Sequence, residues 1–258
     1  MATKQEYQRH FSEILPEAVY GKESRERKAK TMTTVLNDFF RQDTKDLTLL
    51  DLGSSAGIVA NYLADHFGKV IGVDIDGAAV RSARGNFHRN NLNFALVNAM
   101  ELAFSDEAFD VVVCAHVYEH VADAARLMEE IYRVLRPGGV CYFAAGNRLA
   151  INEPHYQLPF LSMLPKPLSH LYFRMSGKGQ FYYENFLTHG GLRRLVKKFS
   201  LIDYTRRIVI DPKAFHLDYM LDERSFKAKM ANLIVQYAYW LCPGYIWLLQ
   251  KGRDPSKT

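Results

Sequence analysis

Two short apolar runs, joined by a glycine loop and a helix, constrain what this chain can fold into more than any other feature. Leu49-Leu50-Asp51-Leu52 leads into Gly53-Ser54-Ser55-Ala56-Gly57, and Val70-Ile71-Gly72-Val73 ends on Asp74. Apolar runs of that length, bounded by glycine and containing Val and Ile, fit parallel strands covered on both faces. Between them Ile58, Val59, Tyr62, Leu63 and Phe67 share one helical face, and Gly68 is a natural helix stop. The pattern predicts a βαβ unit with a carboxylate at the tip of its second strand. Asp74 lies 21 positions after Gly53, where a ribose-binding acid sits in a nucleotide-type fold.

The loop narrows the choice of nucleoside cofactor. A dinucleotide needs G-x-G-x-x-G, whose second glycine lets the backbone approach a pyrophosphate at the helix N-terminus. Here Ser55 holds that place. S-adenosylmethionine carries ribose and adenine without phosphate, and its amino-acid end suits a carboxylate and loop amides. With these residues the chain resembles the class I S-adenosylmethionine-dependent methyltransferases, whose first strand ends D/E-x-G-x-G-x-G. Three downstream segments extend the likeness: Asn98-Ala99-Met100-Glu101-Leu102-Ala103-Phe104, Phe109-Asp110 through Glu119-His120-Val121, and Leu135-Arg136-Pro137-Gly138-Gly139. They resemble the family's D-A-x-x-L-P-F, F-D-x-V-x-x-x-x-x-x-E-H-V and L-x-P-G-G elements, in order, and the likeness is close from Leu47 to Gly146.

The resemblance implies that Asp51, Gly53, Ser55 and Gly57 hold the methionine end, Asp74 the ribose, and Asn98 with Met100 the adenine region. Ser54, Ile75, Ala99, Ala115 and His116 complete the expected cofactor-binding set. Two departures stand out. Ser55 replaces the middle glycine, and Asn98 replaces the usual aspartate while keeping an oxygen that can accept from an adenine amino group.

The 258 residues suffice for one large α/β domain, and no Gly/Ser-rich linker divides them. The expected order is N-terminal helices over 1–45, a cofactor-binding core over 46–146, a substrate cap over 147–184, and the rest of the sheet with a helical insert over 185–258. Strands are expected near 48–52, 70–74, 94–97, 110–114, 140–145, 201–209 and 245–250, with helices near 57–67, 77–90, 122–135 and 184–198. That alternation predicts a doubly wound, seven-stranded, mostly parallel Rossmann-like sheet, and the resemblance makes its last strand antiparallel. Ligands of such sheets bind at the carboxyl ends of the strands.

Cys114, Cys141 and Cys242 are odd in number, widely spaced and set in apolar segments, as reduced core cysteines are. The first residues lack the apolar core of a secretion signal, so a cytoplasmic location is expected. Net charge is +5, but the cations are interspersed with acids or spaced as on a solvated helix face, so no nucleic-acid partner is expected. Met230 to Gln250 is 21 residues without a charge, yet Pro243-Gly244 divides it into an amphipathic helix ending near Leu241 and a final strand. Peripheral contact with a membrane is compatible with that segment.

Methyl transfer to a hydroxyl needs alignment and a base. After the fourth strand His116, Glu119 and His120 stand at i, i+3 and i+4. They can brace the loop, act as a base, or bind a metal. A similar E-x-x-E-H set holds a divalent ion in family members that methylate catechol-like rings, and here His116 replaces the first acid. The expectation carried forward is catalysis by His120, Glu119 and, from the proline- and aromatic-rich insert, His155, without a metal; Tyr156 is also expected to face the substrate. The function so implied is S-adenosylmethionine-dependent methylation, at oxygen, of a small or lipid-linked acceptor. A non-catalytic cofactor-binding partner subunit and an NAD-dependent oxidoreductase are the competing readings.

Overall fold

Along each central strand successive side chains enter two different apolar layers, the behaviour of a sheet covered on both faces. In the computed structural model, which describes residues 4–252, the strands are β1 (Thr48–Leu52), β2 (Lys69–Asp74), β3 (Leu92–Leu96), β4 (Phe109–Ala115), β5 (Leu135–Gly146), β6 (Ser200–Asp203) and β7 (Gly244–Gln250). The ends of the expected 1–258 span, residues 1–3 and 253–258, lie outside the described residues. The strand order is β3-β2-β1-β4-β5-β7-β6, with β7 antiparallel to both its neighbours. Val111, Val113, Val140, Tyr142 and Leu248 join the layer that holds helices α4 (Lys22–Phe40) and α5 (Ile58–Leu63). Val112, Cys114, Cys141, Phe143 and Trp247 join the layer of α7 (Ala124–Val134) and α9 (His189–Leu195). The doubly wound sheet with an antiparallel last strand is thus the architecture found, and all three cysteines are free and buried.

Helix starts follow side-chain chemistry. Asp76 accepts the Ala78 and Ala79 amides to begin α6 (Gly77–Asn86), and Asp123 accepts those of Ala125 and Arg126 to begin α7. The N-terminal segment is α1 (Lys4–Arg9), α2 (Phe11–Ile14) and α3 (Pro16–Tyr20), laid across the carboxyl ends of β1 and β2. Ser12 N–H donates to Asp76 Oδ2 at 2.8 Å, and Val19 packs with Ala56 and Ala79.

Three expectations need correction. The strand foreseen over 201–209 stops at Asp203, because Asp203 Oδ1 accepts the Thr205 amide at 2.9 Å and starts α10 (Thr205–Ile210). The helix foreseen over 184–198 shrinks to α9, since Thr188 Oγ1 takes the Gly191 amide as the cap and 184–187 stays outside it. The cap insert contains a helix, α8 (Lys166–Met175), that the proline-rich pattern did not suggest. After it, α11 (Phe226–Tyr237) and a 3₁₀ turn over Tyr239–Leu241 precede β7, as the Pro243-Gly244 break implied. No helix among the described residues is long and apolar enough to cross a membrane.

Candidate active site

The loop after β1 is shaped by backbone conformations that side chains resist. Gly53 and Gly57 have φ of 69° and 79°. A Cβ on Gly53 would sit 2.8 Å from Val117 Cγ2, and one on Gly57 would sit 2.6 Å from the Phe94 ring. Ser55, in the family's middle-glycine place, keeps a positive φ of 52°. Its N–H donates to Asp74 Oδ2 at 2.8 Å, Asp76 N–H donates to Asp74 Oδ1 at 2.9 Å, and Arg25 Nη2 donates to Ser55 Oγ at 3.1 Å. The Arg25 bond to the hydroxyl is one that a glycine would lack, while the amide bond to Asp74 is one it would keep.

Asp51 is buried below this loop. Burial pushes its carboxyl up to about 7, with Arg25 pulling down and Asp74 pushing up. Burial also raises Asp74, opposed chiefly by the amides of Asp76 and Ser55. Ser54 is buried beside them. A cleft of about 690 Å³ opens at the ends of β2 and β3, lined by Ile75, Leu96 and Asn98 on one side and by Gln5, Arg9 and Glu13 of the N-terminal segment on the other. Asn98 Oδ1 accepts the Met100 amide at 3.0 Å across the half-buried Ala99, and Met100 Sδ accepts the Asp123 amide at 3.3 Å.

Beyond Ala115, the end of β4, His116 adopts φ 58° and places Nδ1 3.2 Å from Glu119 Oε1. Glu119 is fully buried. Burial would raise its pKa, but the hydrogen bond and charge of His116, with the charges of His120 and His155, hold it below the usual range. The His120 ring meets the His155 ring at 4.7 Å between centroids, and burial with the His155 charge pushes His120 down to about 3, so it is a neutral imidazole. His155 Nδ1 lies 2.8 Å from Glu153 Oε1. Burial lowers His155, yet the Glu153 hydrogen bond and the charges of Glu153, Glu119 and Glu184 raise it overall. Ligand atoms of Glu119, His120 and His155 all lie within 4.8 Å of one another, a spacing that can hold a metal ion. The three side chains expected to carry the chemistry are thus together, while half-exposed His116 sits at their edge.

Sequence reasoning missed the surroundings. Tyr7 OH donates to Glu184 Oε1 at 2.5 Å and lies 2.8 Å from Tyr156 OH; Lys4 Nζ donates to the Glu119 carbonyl at 2.9 Å; Phe11 packs edge-on against His120 at 4.9 Å. Tyr156 is buried against Phe173 and Tyr182, whereas Phe160, also in the cap, is 53% exposed. Buried Glu153 and Glu184 inside an aromatic-rich, otherwise acid-free stretch were the available signal. Tyr7 and Lys4 offered none. Among the described residues, the buried side-chain atoms without a hydrogen-bond partner are Gln8 Oε1, Ser12 Oγ, Asp51 Oδ2, Ser54 Oγ, Glu119 Oε2, His120 Nδ1 and Glu184 Oε2. All belong to the N-terminal segment, the ends of β1 and β4, or the cap. Since a buried polar atom left unpaired costs about 1–3 kcal/mol, their gathering at the carboxyl end of the sheet marks a ligand site. Asp51 Oδ2 and Ser54 Oγ suit the charged amino-acid end of S-adenosylmethionine.

Residues 50–143 match the family description of a methyltransferase domain. The chain is 38% identical over 104 residues to a probable S-adenosylmethionine-dependent methyltransferase of Mycolicibacterium smegmatis, covering 40% of each protein. It is 28% identical over 156 residues to a ubiquinone biosynthesis O-methyltransferase of Thiobacillus denitrificans, covering 59% of this chain and 63% of that one. The chain therefore spans roughly half the length of these curated relatives. In fold it is similar, with a TM-score of 0.61 at 16% identity over 97% of this chain and 95% of the other, to the plantazolicin methyltransferase BpumL solved with S-adenosylhomocysteine and a substrate analogue. The matched residues 50–143 are thus similar to a methyltransferase domain, and the seven-stranded order around them is the fold of solved S-adenosylmethionine-dependent methyltransferases.

Proposed function

We propose that this protein transfers the methyl group of S-adenosylmethionine to a hydroxyl oxygen of a small or lipid-linked acceptor, in the reducing cytoplasmic setting that its free, buried cysteines suit. The carrying observation is the set of unpartnered buried polar atoms at the carboxyl end of the sheet, some on the cofactor loop and some on Glu119, His120 and Glu184 beside it. The names of the relatives that act in ubiquinone biosynthesis favour oxygen as the methylated atom. When bound, the cofactor supplies an activated methyl on a sulfonium.

The chain's own residues do the rest. Asp51 and Ser54 would hold the amino-acid end, Asp74 the ribose, and Ile75 with Asn98 the adenine side of the cleft. His120, a neutral imidazole in its buried setting, would accept the proton that the acceptor hydroxyl gives up, and Glu119 would stabilise the imidazolium that results. His155, oriented by Glu153, lines the same space from the cap. The N-terminal segment excludes water through Tyr7, Phe11 and Lys4.

A second reading has its own observation. The mutual spacing of Glu119, His120 and His155 also suits a divalent ion that would hold the acceptor oxygen. Two measurements test the proposal: mass spectrometry of the purified protein for retained S-adenosyl nucleoside, and transfer of labelled methyl to a panel of small phenolic hydroxyl acceptors. Retained nucleoside with transfer that survives chelation supports the base; transfer abolished by chelation and restored by divalent ion supports the metal. Retained nucleoside with no transfer to any acceptor would leave a cofactor-binding partner subunit.

A further inference from the structure

Helix α11 is apolar on two opposite sides, and the body of the protein covers one of them. Ala228 and Val235 are buried and Ala231 and Ile234 half-buried toward the interior. On the other side Phe226, Met230, Leu233 and Tyr237 are exposed. At about 100° per residue these four fall within an arc of about 60°, opposite the buried side. Phe226 and Tyr237 are 77% and 74% exposed, and the stripe continues into Trp240 and Leu241 of the following turn, 53% and 39% exposed. An apolar stripe this exposed on a folded protein marks a contact surface.

Charge identifies the contact. Lys227 and Lys229, both exposed, stand on either side of the stripe, Lys227 Nζ donating to the Met220 carbonyl at 2.9 Å, and Arg224 stands exposed before it. From Arg224 to Leu241 the chain has no Asp or Glu; Asp222 and Glu223 lie beyond the helix N-terminus. An apolar stripe edged by flexible cations, closed by Tyr and Trp, is the composition of a helix that lies in the interfacial plane of an anionic bilayer: the rings and aliphatic side chains enter, and the ammonium groups reach lipid phosphates. With no described helix able to span a bilayer, the geometry calls for surface contact rather than insertion across it.

We propose that the outer face of α11, with Trp240, docks the protein reversibly on anionic phospholipid. The inference stands apart from the proposed methyl transfer and uses none of the residues at the chamber. A reporter is built in, because of the two tryptophans Trp247 is 1% exposed and Trp240 lies in the stripe.

The experiment is sedimentation of the full chain with vesicles of mixed phosphatidylglycerol and phosphatidylcholine, and with phosphatidylcholine alone, while tryptophan emission is followed. The expected result is binding to the anionic vesicles only, weakened by salt, with a blue shift that Trp240→Phe abolishes. Lys227→Glu with Lys229→Glu, and separately Phe226→Ser with Tyr237→Ser, should each weaken binding at least about tenfold with an unchanged melting temperature. No binding to anionic vesicles overturns the proposal, and so does binding undiminished in both double variants. Self-association of the unmodified protein that Phe226→Ser with Tyr237→Ser removes, without vesicle binding, also overturns it and assigns the face to a second copy of the chain.

Discussion

The cofactor loop and the chamber beside it share one edge of the sheet but are assembled in opposite ways. The loop is local: Asp51, Gly53, Ser55 and Asp74 belong to one βαβ unit and are held chiefly by backbone amides. The chamber is composite: Tyr7 and Lys4 from the N-terminal segment, Glu119 and His120 after β4, and Glu153, His155, Tyr156 and Glu184 from the cap. A local site can be kept while everything around it changes, whereas a composite one changes with each segment that supplies it. The division suits a fixed cofactor and a specialised acceptor.

The largest expected effect breaks the chamber without touching the loop. His120→Ala and Glu119→Gln should slow methyl transfer by about 10²–10⁴-fold, because a general base acts at the transition state. Single-turnover rates measure it, and full activity in both variants would remove the chamber from the chemistry. The next effect belongs to the loop and to pH. Asp51 in the fold is raised to about 7, above its unfolded value, so between the two values the folded protein binds the proton and the stability of the free protein falls as pH rises. A cofactor ammonium favours the carboxylate instead. Affinity for S-adenosylhomocysteine should therefore rise by up to about tenfold per pH unit on approach to 7 and level off above it. Asp51→Asn should flatten both slopes; a pH-independent affinity in the unmodified protein would disconnect Asp51 from the ligand.

The smallest effect sharpens the comparison at the N-terminus. Tyr7→Phe removes the shorter of the Tyr7 and Tyr156 hydroxyl bonds to buried Glu184 and should lower stability by about 1–3 kcal/mol, read as a lower melting temperature, with cofactor affinity unchanged. A loss of cofactor affinity of the same size would tie Tyr7 to the cleft that Gln5, Arg9 and Glu13 line rather than to the chamber.

The same contrast explains what the sequence disclosed. The βαβ unit was legible because its strands, glycines and acid lie within one stretch of chain and each carries its own physical signature. Glu119 and His120 were legible from their spacing, and His155 from its place in an insert above the strand ends. Glu184, Tyr7 and Lys4 were not, because only the packing of distant segments brings them to Glu119 and Tyr156. In the fold, Ile208-Val209-Ile210 read as strand from its β-branched residues, yet the i, i+3 burial of Thr205 and Ile208 belongs to a helix that Asp203 starts. Helix α8 was hidden by Pro165 and Pro167, which stand at its cap and first turn rather than in a rigid loop.

The division between loop and chamber is tested most directly by calorimetric titration of S-adenosylhomocysteine into the unmodified protein, Asp74→Ala and His120→Ala. Asp74→Ala should weaken binding by about 10- to 100-fold, the loss of charge-assisted hydrogen bonds together with the Ser55 and Asp76 amide anchors. His120→Ala should leave the affinity within about twofold of the unmodified value, since its partners lie in the chamber. Equal losses in the two variants, or an undiminished affinity in Asp74→Ala, would contradict the division.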